Sequence, residues 1–354
     1  MLYISIPMTL LESLRALADP TRLRIMRLLA SMELAVGELA QVLGQSQPRV
    51  SRHVKILCDA GLADRRREGG WVFLRAAIAE APTRRVNTTG LGTALARVLA
   101  AAEAEDAEFA AQVREDRQHL DAIRTAREAS AADYFARHAD QWDRLRSLHI
   151  AEGPVEAALV DLLDQANPQG PGHLLDVGTG TGRMAQLLAP RASHVSALDK
   201  SPEMLRLART RLQDMPAGRV DLVQGDFLAL PFAAGTFDTV LFHQVLHYAL
   251  APEAVLAEAA RVTAPGGCIA VVDFASHERE DLRLAHAHAR LGFSDAQMAK
   301  LLGDAGFEPL AERALAGHEL IVKLWTARRR AEGPIPAIGS AAIQTSPLPA
   351  FTKS

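Results

Sequence analysis

The chain has 354 residues, 49% of them apolar, with a mean hydropathy of +0.02 and a formal net charge of −3, which is enough for two ordinary domains. No run approaches the ~18 apolar residues of a membrane span, and the apolar Met1–Met8 lacks a basic leader and is shorter than a signal peptide. The two cysteines, Cys58 and Cys268, lie far apart in apolar patterns and read as buried thiols of a reduced cytoplasm, so a cytoplasmic protein is expected.

In chain order, Thr9–Ala18 and Pro20–Ala30 read as two helices, the second with Asp19 as cap and Pro20 in its first turn. A helix over Val36–Leu43 follows, then Gly44-Gln45, then a helix opening at Ser46, a good N-cap, with Pro48 tolerated in its first turn. Val50, Val54, Leu57 and Cys58 form its inward face, while Gln47, Arg49, Arg52, His53 and Lys55 point elsewhere. Two helices joined by a short glycine-containing turn make a helix-turn-helix. Leu62–Arg67 and Trp71–Arg75 alternate around Gly69-Gly70 as a basic hairpin, a wing. Residues 1–75 hold eleven Lys/Arg against seven Asp/Glu, a net of +4, leaving −7 for the remainder. A basic front end on an acidic chain suggests a local anionic partner.

This stretch resembles the winged helix of ArsR/SmtB-type bacterial repressors. The matching residues are Ala16-Leu17-Ala18-Asp19-Pro20-Thr21-Arg22-Leu23-Arg24-Ile25, Gln47-Pro48-Arg49-Val50-Ser51-Arg52-His53-Val54-Lys55-Ile56-Leu57, Ala60-Gly61-Leu62 and the Arg65–Arg67/Trp71 wing. The resemblance implies double-stranded operator DNA as partner. Physical reasoning agrees: Gln47, Arg49, Ser51, Arg52, His53 and Lys55 supply a recognition helix, and Arg65, Arg66 and Arg67 suit phosphates. Metal-sensing members carry a cysteine pair after the second helix, where this chain has Glu33-Leu34-Ala35-Val36-Gly37-Glu38-Leu39. Soft-metal sensing there is not expected.

Residues 81–90 read as a linker. Gly92–Glu128 is alanine-rich and helical, with Leu95, Ala102, Phe109 and Ile123 at one heptad position and Leu99, Val113 and Leu120 at the other. Asp106 and Asp116 interrupt this seam; it suits a coiled or antiparallel helix pair between two protomers, and hence a homodimer, better than a lone helix. Tyr134–Leu148 is a further helix anchored by Phe135, Trp142, Leu145 and Leu148. Val155–Leu163 leads into Leu174-Leu175-Asp176-Val177-Gly178-Thr179-Gly180-Thr181-Gly182, a buried strand turning into a helix near Thr181. A dinucleotide site would place its third glycine at Arg183, and an acid at Asp176 suits an ammonium better than a pyrophosphate. His194–Leu198 is a second strand closed by Asp199, whose carboxylate can accept both hydroxyls of a ribose. Val220–Gln224 is a third, ending in Gly225-Asp226-Phe227. Phe237–Phe242 is a fourth, followed by His243-Gln244-Val245-Leu246-His247-Tyr248 at the sheet edge. Val255–Val262 reads as a helix, Ala264-Pro265-Gly266-Gly267 as a turn, and Cys268–Asp273 as a fifth strand. Leu282–Leu291 and Ser294–Ala305 read as helices, Glu319–Thr326 as a closing strand, and Gly333–Ser354 as a disordered tail.

The D-x-G-x-G-x-G loop, the acid after strand two, the G-D pair after strand three and the A-R-V-x-x-P-G-G turn resemble class I S-adenosyl-L-methionine (SAM)-dependent methyltransferases. By that resemblance Asp176 and Gly178 lie near the methionine amine, Asp199 holds the ribose, Asp226 takes the adenine amine and Phe227 lies near the ring. Thr179, Gly180, Lys200 and His243 complete the cofactor set. In methyltransferases similar to the ubiquinone/menaquinone-biosynthesis group a helix before the first strand covers the cofactor. Tyr134 and Trp142 suit either such a lid or core packing.

Candidate acid–base groups are His243, His247, Tyr248, Asp273, His286 and His288, with His247 and then His243 as the choices for catalysis. His243 and His247, four apart, suit one helical face. His286 and His288 on a helix point their rings apart, so no metal site is expected. No N/D-P-P-Y/F follows strand four, no Pro-Cys nucleophile occurs, and two separated cysteines cannot supply the thiolate cluster of arsenic methylation. The expected architecture is a winged helix-turn-helix over 1–80, a helical connector over 81–150, a Rossmann-like α/β methyltransferase domain over 151–330 and a tail over 331–354. The expected function is an ArsR-type regulator that methylates a small molecule. The alternative is a regulator whose methyltransferase fold only senses SAM or S-adenosylhomocysteine.

Overall fold

The computed structural model describes residues 9–30, 32–68, 71–79, 90–139, 142, 152–317 and 320–331. The Gly69-Gly70 wing tip, most of the expected linker, Leu145, Leu148 and the tail beyond 331 lie outside them.

The first unit runs α1 (Leu10–Leu17), α2 (Pro20–Leu29), β1 (Leu34–Ala35), α3 (Val36–Val42), α4 (Gln47–Asp59), β2 (Ala63–Glu68) and β3 (Trp71–Ala76). Asp19 caps α2, accepting from the Arg22 N–H at 3.0 Å, and Pro20 follows where a missing N–H is harmless. Ser46 occupies the N-cap place of α4, but its side chain makes no capping bond. The hairpin gains an unexpected partner: β1 pairs antiparallel with β3, Leu34 opposite Leu74 and Ala35 opposite Phe73, giving the order β1-β3-β2. Two residues carry no readable period. Ile25, Leu28, Leu34, Leu39, Val50, Leu57, Leu62 and Leu74 form the core beneath.

The single helix expected over 92–128 is two, α5 (Gly90–Glu105) and α6 (Ala107–His138). Asp106 makes the break: its backbone is extended, and its carboxylate accepts from the N–H groups of Glu108 and Phe109 at 3.0 Å each, an N-cap. Much of the heptad seam packs within the chain, with Ala102 and Phe109 half-buried. Leu95, Leu99 and Leu120 are buried in the winged-helix core, and Val113 is buried as well. Asp116, the other interruption, is buried and accepts two guanidinium bonds from Arg24, at 2.5 and 2.7 Å. Glu103 binds both Arg27 and Arg117. Of the two polar seam positions, Asp106 is thus a helix cap and Asp116 an internal ion pair. The 32 residues of α6 span roughly 48 Å, enough to leave this core and reach the second unit.

The second unit contains α7 (Glu152–Ala166), β4 (His173–Val177), α8 (Arg183–Leu188), β5 (His194–Asp199), α9 (Pro202–Arg211), β6 (Val220–Gln224) and β7 (Phe237–His243). It continues with α10 (Pro252–Val262), β8 (Thr263–Phe274), α11 (Asp281–Ala285), α12 (Asp295–Ala305), β9 (Phe307–Ala316) and β10 (Ile321–Arg329). The sheet order is β6-β5-β4-β7-β8-β10-β9; the first five strands are parallel, and β10 is antiparallel to both neighbours. Leu174, Leu175 and Val177 are fully buried, as expected of a central parallel strand covered on both faces. One layer packs Leu159, Leu188 and Leu241, the other Val240, Leu256 and Phe307. The strand order reverses between β4 and β7, so the carboxyl ends of β4, β5, β6 and β7 border the crevice where open α/β sheets bind ligands.

Three elements differ from expectation. The turn at Ala264–Gly267 is drawn into β8, which runs from Thr263 to Phe274. The helix expected over Leu282–Leu291 stops at Ala285, and Ala287 takes a positive φ of 56°. Strand β9 was not anticipated because Phe307–Ala316 contains no β-branched residue. Its place is set by pairing with β10.

Candidate functional site

Strand β4 delivers Asp176, almost fully buried, to the edge of the glycine loop, where the Thr179 hydroxyl donates to its Oδ2 at 2.6 Å. Gly178, Gly180 and Gly182 hold φ of 69°, 55° and 81°. Gly178 is also sterically required, since a Cβ there would lie 2.4 Å from Val245 Cγ2. The loop closes on Asp199 at the end of β5, which accepts from Gly180 N–H at 2.8 Å and Ser201 N–H at 2.9 Å. Burial pushes the Asp199 carboxyl above the usual carboxylate range, against the lowering effect of these N–H donors. Asp226 follows β6 and pairs with Lys200 at 2.8 Å; Phe227, half-buried, is beside it. Asp176, Asp199 and Asp226 thus mark the ends of three adjacent strands.

The second half of the site is the turn after β7. His243 ends the strand, Gln244 takes a φ of 54°, and Leu246–Tyr248 forms a 3-10 turn. His243 and His247 therefore do not share a helical face. His247 is 2% exposed; its Nδ1 lies 2.7 Å from Oδ1 of Asp273, which is itself fully buried at the end of β8. Asp273 also accepts from the backbone N–H groups of His247 at 3.1 Å and Phe274 at 2.8 Å. The carboxylate faces Nδ1 and so fixes the imidazole with Nε2 turned away from it. Nε2 has no hydrogen-bond partner among the described residues.

His288 is not a helix-surface residue: with the helix ended at Ala285, it is buried, its ring 4.2 Å from His247 and 5.8 Å from Phe274 in a stacked arrangement. Desolvation raises the Tyr248 phenol well above its ordinary pKa. The end of α6 roofs this cluster. Tyr134 Oη is 2.8 Å from His286 Nδ1, Phe135 packs edge-on to Tyr248 at 4.9 Å and to Trp142 at 5.3 Å, and Trp142 Nε1 is 3.5 Å from where a Gly180 Cβ would stand. The lid and core-packing readings of Tyr134 and Trp142 meet here: the rings pack together, and they do so against the glycine loop.

On the first unit, Gln47, Arg49, Ser51, Arg52 and Lys55 are exposed on α4, with Lys55 bound to Asp59 one turn on. His53 is turned toward Asp19, 3.6 Å away. Side chains alternate along a strand. Arg65 and Arg67 are accordingly exposed, whereas Arg66 faces inward to Glu33 at 3.3 Å and over Phe73. Sequence reading treated the three arginines as one block. It also missed Asp273 as the partner of His247, although an acid closing an apolar strand had marked Asp176 and Asp199 too.

Residues 19–65 match the family model described as bacterial regulatory protein, arsR family, and residues 175–271 match the one described as methyltransferase domain. A demethylmenaquinone methyltransferase of Renibacterium salmoninarum is 40% identical over 102 residues, covering 29% of this chain and 41% of that protein. A malonyl-[acyl-carrier protein] O-methyltransferase of Laribacter hongkongensis is 34% identical over 163 residues, covering 43% and 53%. The chain spans about half the length of the curated relatives it matches. The solved N-methyltransferase NodS of Bradyrhizobium japonicum, in complex with S-adenosylhomocysteine, is 18% identical with a TM-score of 0.48, covering 56% of this chain and 98% of that one. The chain carries, on one polypeptide, an arsR-family helix-turn-helix segment and a class I methyltransferase domain.

Proposed function

We propose that this chain is a DNA-binding transcriptional regulator that also methylates a small molecule with SAM. One observation carries the reading: Asp176, Asp199 and Asp226 stand at the ends of three adjacent parallel strands around a loop of three left-handed glycines. The donor set fits the cofactor. Buried Asp176 suits an ammonium. Asp199 accepts backbone N–H groups on both oxygens, and its remaining lone pairs suit a ribose hydroxyl. Asp226 and Phe227 suit an adenine amine and ring, with Thr179, Gly180, Lys200 and His243 around them. When bound, SAM supplies an electrophilic methyl group on a sulfonium. Asp273 orients His247 so that Nε2 can take a proton from an acceptor hydroxyl or enol, and Phe135, Trp142 and Tyr248 exclude water. Relatives named for demethylmenaquinone and for malonyl-acyl carrier protein support an oxygen-rich small acceptor.

On this reading residues 1–80 bind DNA, 81–150 connect and 151–330 hold the cofactor. Gln47, Arg49, Ser51 and Arg52 face the major groove, and Arg65 and Arg67 the phosphates. Two copies bind an inverted repeat with half-sites about one helical turn apart. Since Leu95, Leu99, Val113 and Leu120 of the 92–128 seam are buried within the chain, pairing is assigned to α1, where Leu10, Leu11 and Leu14 are 56%, 59% and 48% exposed. A dimer by light scattering that Leu11→Glu makes monomeric is expected; a monomeric wild type rejects the pairing.

Incubation with SAM and a panel of phenols, enols and carboxylic acids, read as S-adenosylhomocysteine formed, tests the enzyme reading. Turnover with one acceptor is expected, lowered about 10²- to 10⁴-fold by His247→Ala with S-adenosylhomocysteine binding retained. Binding without turnover on any acceptor would replace the enzyme by the sensor.

A further inference from the structure

Arg290, just beyond α11, is the largest fully buried side chain among the described residues, at 1% exposure. A buried guanidinium is strongly unfavourable unless its donors are met. The partners come from both units. In the first, Nη1 donates to Glu33 Oε2 at 3.3 Å, and the guanidinium lies 4.4 Å from the centre of the Phe73 ring on β3. In the second, Nη2 donates to the Leu250 carbonyl at 2.9 Å, and the backbone N–H donates to the His247 carbonyl at 2.9 Å. Arg66 of β2 uses the same carboxylate and the same ring, at 3.3 Å and 5.1 Å. One acid and one ring thus serve a wing arginine and an arginine tied to the candidate catalytic turn. That turn abuts the glycine loop through Val245 and Gly178.

We propose that Arg290 locks the His247–Tyr248 turn to the base of the wing, so that a cofactor seated on the glycine loop is read out at β2 and β3. The proposal rests on the cofactor reading above. Pressure on Val245 shifts the turn; the turn carries the Arg290 backbone with it; and Glu33, held by two guanidinium groups, passes the shift to Arg66. The network is contiguous from loop to wing, and linkage makes the coupling reciprocal.

Hydrogen exchange by mass spectrometry on the full chain, with and without saturating S-adenosylhomocysteine, tests it without an operator. In the wild type the ligand slows exchange over residues 173–182 and, by at least about fivefold, over β2 and β3. In Arg290→Met the first effect persists and the second disappears. Glu33→Gln, which keeps the shape of the acid, weakens the second effect and stands in if Arg290→Met fails to fold, as judged by exchange in β8 and β10. A wing that does not respond while 173–182 is protected overturns the proposal. So does a wing response that survives both substitutions. No protection at 173–182 rejects the cofactor reading, and the coupling with it.

Discussion

The helical junction of the winged-helix unit and the edge of the second unit's sheet use their carboxylates in different ways. Where the connector helices meet the winged-helix core, and at the wing, three acids are matched with guanidinium groups: Asp116 with Arg24, Glu103 with Arg27 and Arg117, Glu33 with Arg66 and Arg290. At the sheet edge, Asp199 and Asp273 are met by backbone N–H groups and an imidazole, and Asp176 by a hydroxyl. An acid neutralised by arginine holds architecture. An acid met by a few neutral donors keeps spare lone pairs for a ligand.

Breaking the first kind should destabilise the protein. Asp116→Ala leaves the Arg24 guanidinium, 20% exposed, without its carboxylate, and is expected to cost about 3 kcal/mol in urea denaturation, the lower end of the range for severing a buried pair. The exposed Asp161–Arg313 pair is the control; Asp161→Ala should leave the midpoint unmoved. Equal effects would erase the contrast between buried and surface pairs.

A smaller effect separates the wing arginines. Arg65→Ala should lower the slope of log affinity against log salt by about 0.9, one phosphate contact, on any duplex. Arg66→Ala should leave that slope nearly unchanged and reduce stability instead, because its guanidinium is engaged by Glu33 and Phe73. Identical slopes for the two variants would mean that Arg66 leaves Glu33 on DNA.

The smallest effect is on pH. Burial lowers the His286 pKa; His138 and Arg279 lower it further, and Asp281 opposes them. Burial also lowers that of His173, with His194 adding to the effect and Asp238 and Asp221 opposing it. With folded values below the ordinary histidine value of about 6.5, the unfolded chain binds the proton first as pH falls. Stability should therefore decline from about pH 6.5 down to the lowered folded values, and His286→Gln should flatten part of that decline in thermal melts. A decline that begins above neutrality would point to other groups.

What was legible in the sequence was whatever a strand or helix period carried to its end. Asp176 and Asp199 close apolar runs, and Asp19 precedes a proline, so their places and neighbours could be read directly. The losses have physical causes. The 92–128 repeat was real, but a heptad face does not say whether its partner is another chain or the same one. His288 read as a helix-surface residue because nothing local announced that the helix ends at Ala285. Strand β9 exists through its pairing with β10 rather than through propensity. Arg290 and Glu33 are 257 residues apart, beyond any local pattern.

Asp176 and Asp199, met by neutral donors, and Asp226, paired with Lys200, together make the proposed SAM site. Calorimetric titration of S-adenosylhomocysteine into the wild type and into Asp199→Ala tests it most directly. Micromolar-class binding is expected, weakened about 10- to 100-fold by the substitution, the scale of losing hydrogen bonds to a charged group. Absence of heat with the wild type, or equal binding by the variant, would contradict it.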